Sequence, residues 1–90
     1  MLYMVIEKFK PGAAPEIYRR VRDRGRALPA GLKYVSSWVD FKYERCFQLM
    51  ETDDENLFDE WIAYWSDVTE FEVVAVRTSA EAAIAIADQI

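Results

Sequence analysis

The order in which this chain switches between strand-like and helix-like apolar periods limits it more than any other property. Leu2 to Phe9 has strand composition and ends at Lys10-Pro11-Gly12, a turn signal that also opens helices. From Ala14 to Leu28 the positions Ile17, Tyr18, Val21, Gly25 and Leu28 follow the 3.6-residue period of a helix. Pro29-Ala30-Gly31 stops it. Gly25 weakens that helix by about 1 kcal/mol relative to alanine, and its missing side chain suits close approach to a sheet beneath. Leu32 to Asp40 and Glu44 to Thr52 read as two strands joined by the short turn Phe41-Lys42-Tyr43. Thr52-Asp53-Asp54-Glu55 has the form of a capping box, and its extra carboxylates suit the positive end of a helix dipole. The helix it opens runs to about Ser66 and buries Leu57, Phe58, Trp61, Ile62 and Trp65 on one stripe. Glu70 to Thr78 is a fourth strand. Ser79 caps a last helix, Ala80 to Asp88, too rich in alanine to hold itself without docking on something.

This β-α-β-β-α-β order with an extra C-terminal helix predicts an α+β, ferredoxin-like fold. Its antiparallel four-stranded sheet carries two helices on one face, and crossover handedness leaves few other connections. Ninety residues hold one core, so residues 1–90 are expected to form a single domain. In a monomer of this plan the other sheet face should be polar. Here the first strand is mainly apolar in both sets, Leu2/Met4/Ile6 and Tyr3/Val5/Phe9. The fourth strand offers Phe71/Val73/Ala75 on one side and Val74/Val76 on the other. Two apolar faces and one helical layer call for a second protein layer, and another copy of the chain is the simplest supplier. A homodimer is therefore expected.

A net charge of −5 argues against nucleic acid as a partner. Cys46 is the only cysteine, so no internal disulfide is possible and a reducing, cytoplasmic setting is expected. The apolar start, Met1 to Ile6, stops at Glu7-Lys8, too short for a signal peptide or membrane span, and no membrane partner is expected.

The segments Met1-Leu2-Tyr3-Met4-Val5-Ile6-Glu7, Arg45-Cys46-Phe47-Gln48-Leu49-Met50-Glu51-Thr52-Asp53-Asp54, Phe58-Asp59-Glu60-Trp61 and Phe71-Glu72-Val73-Val74 resemble a short bacterial family known as domain of unknown function 3303. More broadly the chain is similar to the dimeric α/β-barrel superfamily, whose subunits pair sheet faces into a barrel with helices outside. That resemblance implies a homodimer with a cleft between sheet and helices in each subunit. The closer family implies no activity, so no catalytic residue carries over. The superfamily includes cofactor-free monooxygenases, muconolactone-type isomerases and haem enzymes that use a histidine ligand. This chain has no histidine, and no cofactor is expected.

Strict strand alternation gathers Tyr3, Val5 and Glu7 with Cys46, Gln48 and Met50, and with Tyr34, Ser36 and Trp38, on one sheet face. A few polar groups converging in apolar surroundings suit a small-molecule pocket. Glu7 buried there would have a raised pKa and could act as acid or base, the one catalytic candidate. The alternative is that this face is the barrel interior of the dimer, its polar groups satisfied across the interface. Trp61 and Trp65, at i and i+4 over the sheet, either wall a cavity for a planar ligand or are simply core. Trp38 is a further ligand candidate near the mouth. The arginines Arg19, Arg20, Arg22, Arg24 and Arg26 spread around the solvent side of the first helix, mostly as a salt-bridged face, with Arg24 nearest the apolar stripe and placed to clamp a substrate carboxylate. Cys46 reads as inert packing, and no residue set has metal-ligand spacing.

Three functions fit these residues. One is a non-catalytic dimeric module that binds a small apolar or aromatic molecule. Another is a cofactor-free monooxygenase- or isomerase-like enzyme using Glu7, Tyr34, Trp38 and Gln48. The third is a protein-interaction adaptor using the arginines or the final helix.

Overall fold

The structure, a computed structural model, describes all of residues 1–90. Its elements are β1 (Leu2–Phe9), α1 (Ala14–Arg24), β2 (Lys33–Val39), β3 (Arg45–Glu51), α2 (Leu57–Trp65), β4 (Thr69–Val76) and α3 (Ser79–Ile86), with a short 3-10 turn at Ala87–Gln89. The four strands form one sheet in the order β2-β3-β1-β4, antiparallel throughout. This is the ferredoxin-like α+β arrangement.

Alternation in β1 decides which face is covered. Tyr3, Val5, Glu7 and Phe9 are buried, while Leu2, Met4 and Ile6 are only half-buried. Their register partners extend the division: Met50, Gln48 and Cys46 of β3 lie on the buried face, Leu49 and Phe47 on the other. Ile17 of α1 and Phe58, Trp61 and Trp65 of α2 join Tyr3, Val5, Phe9, Cys46 and Met50 in one core. The chain's own helices therefore cover the face carrying Glu7 and Gln48. That face is not the interior of a barrel closed by a second copy. The opposite face, with Leu2, Met4, Ile6, Phe47, Leu49, Val74, Val76 and the 56% exposed Trp38, has no layer over it.

Several local expectations shift. α1 ends at Arg24, not Leu28, because Gly25 turns to φ 71°, a left-handed conformation open to glycine at little cost. A side chain at Gly25 would meet nothing within 4 Å, so no close approach to the sheet depends on it. Thr52 does not cap α2. Its hydroxyl accepts from the Asp54 amide at 3.1 Å in a local turn, and the helix starts later, behind Asn56. The capping box lies instead at α3. Thr78, rather than Ser79, accepts from the Glu81 amide at 3.1 Å while the Glu81 carboxylate accepts from Thr78 N–H at 3.3 Å. Every residue of α3 is exposed.

β2 carries the most consequential departure. Tyr34 pairs with Met50 but Ser36 pairs with Leu49, so Val35 is an extra residue bulged out of the ladder. Beyond it Ser37 faces with Gln48 and Val39 with Cys46. Ser36 and Trp38 are thereby turned to the uncovered face.

Candidate functional site

A cavity of about 90 Å³ lies between the covered sheet face and the two helices. Glu7, Cys46 and Gln48 form its floor, and Ser37 and Val39 extend that floor across β2 because of the bulge. Ile17, Tyr18 and Val21 of α1 and Trp61 and Trp65 of α2 form the roof. Arg26, just past the end of α1, completes the wall.

The segment after α1 is fixed in place from both sides. The indole N–H groups of Trp61 and Trp65 both donate to the Arg26 carbonyl, at 2.9 and 3.1 Å. Ala27 follows at φ 59°, which costs a non-glycine residue about 1–2 kcal/mol. With its backbone so held, Arg26 sends its guanidinium back over the Tyr34 ring, 3.8 Å from the centroid, and donates to Gln48 Oε1 at 2.9 Å. Gln48 spends its own amide hydrogen on Met50 Sδ at 3.3 Å, and Tyr34 and Ser37 share a 2.8 Å hydroxyl–hydroxyl bond.

Burial pushes the Glu7 carboxyl up to about 7, opposed only in part by the Cys46 thiol's hydrogen bond and the Arg26 charge. Burial also pushes the Cys46 thiol up to about 12, aided by the neighbouring Glu7 charge, so this thiol stays protonated and unreactive. Tyr18 is raised as well, first by burial and then by Cys46 and Tyr43. Near neutral pH the cavity thus holds a carboxyl poised between its two forms, a neutral thiol and a fixed cation.

Of the residues singled out in the sequence, Glu7, Gln48, Trp61 and Trp65 meet at this cavity. Both tryptophans are core and wall at once. Tyr34 does not line the cavity and reaches it through Arg26 and Ser37. Tyr3 shares the face but lies away from the cavity, edge-on to Phe58 and 3.5 Å from Glu55. Ser36 and Trp38 stand on the other face. Arg24 is exposed in a charged groove beside Glu16, Arg20 and Asp23, outside the cavity, so it clamps nothing there. Arg26 has that place instead, since the helix has ended and the chain has turned back before it. Arg19, Arg20 and Arg22 are salt-bridged, to Glu16, to Glu16 and Asp67, and to Asp23. Ser37 and Val39 were hidden by the bulge. For Arg26 a signal did exist: Gly25 is a natural helix stop, and whatever follows such a stop leaves the helical face.

Residues 1–90, the whole chain, match the family described as "Domain of unknown function (DUF3303)", and the chain belongs to that family. No curated protein matches it.

Proposed function

We propose that this member of the family works as a homodimer, closed through the uncovered sheet face, and holds a small molecule in the cleft between sheet and helices of each subunit. The observation that carries the ligand reading is a cavity in which Glu7, Arg26, Gln48 and Ser37 converge among apolar walls. Its size narrows the occupant: a cavity of ~150 Å³ takes benzene, so 90 Å³ suits a more compact molecule than an aromatic ring. The dimer reading is supported by the breadth of the uncovered face, which runs across all four strands. No helix is long and apolar enough to cross a membrane, and a lone buried thiol suits the reducing cytoplasm.

Titration with a panel of compact organic molecules should change the fluorescence of Trp61 and Trp65. Val39→Phe, which fills the cavity, should abolish the response in a protein that still melts cooperatively. A response that survives the filling would place the ligand elsewhere. In light scattering the mass should lie near twice 10.5 kDa, and a monomer at micromolar concentration would remove the dimer.

A second reading rests on Glu7. A carboxyl titrating near 7 inside a mostly apolar cavity is suited to move a proton to or from a bound molecule without a cofactor. Glu7→Gln would then abolish turnover while leaving binding and folding intact.

A further inference from the structure

Only two of the eleven lysine and arginine side chains are not exposed, Arg20 and Arg26. Arg20 is fully answered: both of its terminal nitrogens donate to the Asp67 carboxylate, at 3.0 and 2.9 Å, and its Nε to Glu16. Arg26 is not. It has no carboxylate within 4.0 Å, and its one protein acceptor is the neutral Gln48 amide oxygen. A half-buried guanidinium with five donors and a single acceptor is a charge waiting for an anion. The Tyr34 ring beneath it holds the planar group in place, which suits two-pronged recognition of a carboxylate.

Resting on the reading of this cavity as a ligand site, we propose that its occupant is a compact carboxylate, met by the Arg26 guanidinium and by the Glu7 carboxyl. A cavity of about 90 Å³, against ~150 Å³ for one that takes benzene, suits an acid of two or three carbons. Such an anion cannot share the cavity with a second carboxylate. Glu7 therefore binds it as the neutral acid, donating its proton as a hydrogen bond, and a molecule that enters while Glu7 is ionised draws one proton from solvent. The groups facing Glu7 leave it as the only titrating partner. Cys46 on β3 and Tyr18 on α1 are both pushed up and stay neutral beside the Arg26 guanidinium. β4 places Phe71 beside it, β2 contributes Ser37, and α2 offers only the two tryptophans.

The test is calorimetry and tryptophan fluorescence with acetate and propionate, their neutral isosteres acetamide and propionamide, and benzoate as an oversized acid. Acetate and propionate should bind, benzoate should not, and affinity should fall about tenfold for each pH unit above 7. Buffers of different ionisation enthalpy should reveal proton uptake approaching one per ligand at pH 8. Arg26→Gln should weaken the carboxylates about tenfold or more with amide binding unchanged, and Arg26→Lys should restore part of the loss. Glu7→Gln should bind equally at pH 6 and pH 8 without proton uptake. Amides that bind as well as the acids, or acids indifferent to Arg26→Gln, would overturn the anion and leave the ligand cavity standing. A protein that binds neither charged nor neutral probes would overturn the cavity reading itself.

Discussion

On the helix-covered face of the sheet, β1 and β3 present Tyr3, Val5, Cys46 and Met50 together with Glu7 and Gln48. On the uncovered face the same two strands present Leu2, Met4, Ile6, Phe47 and Leu49. Over the middle of these strands, inside the charged ends Lys8, Arg45 and Glu51 of the uncovered face, the face packed by the chain's own helices is the more polar one. The difference teaches that apolar content alone does not tell which face a helix layer takes. α2 brings two indoles whose N–H groups need an acceptor, and the Arg26 carbonyl supplies it only on this side. The polar floor then remains as the lining of a small cavity. The uncovered face is apolar over β1 and β3 between those charged ends, with Ser36 and Glu72 on its flanking strands.

The largest effect expected from breaking this contrast is Trp61→Ala. It removes a 3% exposed side chain and a 2.9 Å hydrogen bond, and should cost about 3–5 kcal/mol. Thermal unfolding would register this as a fall of tens of degrees, and a loss near 1 kcal/mol would mean the covered face is not the stabilising one.

Next comes Glu7→Gln. The folded protein holds the Glu7 proton to about 7 against an ordinary value of 4.5, so it binds more protons than the unfolded chain between those values. Stability therefore falls as pH rises from 4.5 to 7, and the cost of burying the charge, at most about 3 kcal/mol, is fully present above 7. Denaturant titration should show the variant gaining up to that amount at pH 8, little at pH 4, and losing most of the wild-type slope between. An unchanged slope would assign the pH dependence to another group.

On the uncovered face, Leu49→Lys should alter the unfolding free energy of the isolated subunit by no more than about 1 kcal/mol. If the proposed dimer closes through this face, its signature is a mass that halves in light scattering with circular dichroism retained. A large stability loss in a variant that stays dimeric would show that the two faces are not as different as drawn. The smallest effect belongs to Arg20→Gln, at the rim where α1 is tied to the loop after α2. Its pairs with Asp67 and Glu16 are partly solvated and worth about 1 kcal/mol or less together, with a salt dependence that disappears in the variant.

Much of this was legible in the sequence where one local rule acted alone. Alternation, with Lys10-Pro11-Gly12 behind it, located β1 to the residue, and the 3.6 period placed Phe58, Trp61 and Trp65 on the buried stripe of α2. Where two local rules competed, the reading failed. Leu28 continues the period of α1, but Gly25 ends the helix first, and that moved the cavity's cation from Arg24 to Arg26. Thr52 was free to cap or to turn, and it turned. The bulge at Val35 leaves no mark in residue type at all, since Val35, Ser36 and Ser37 suit either face of an edge strand. It appears only when β2 is laid against β3.

That bulge also gives β2 one residue of slack. The cavity-facing positions keep phase with the β2–β3 turn, where Val39 opposes Cys46 and Ser37 opposes Gln48. Removing Val35, Ser36 or Ser37 would let the strand run straight, and each shortened chain would still set a serine against Gln48 and a valine against Cys46. Chain length is thus free to vary by one residue here without a change in the cavity's chemistry, and the doubled serine makes the loss of either copy silent.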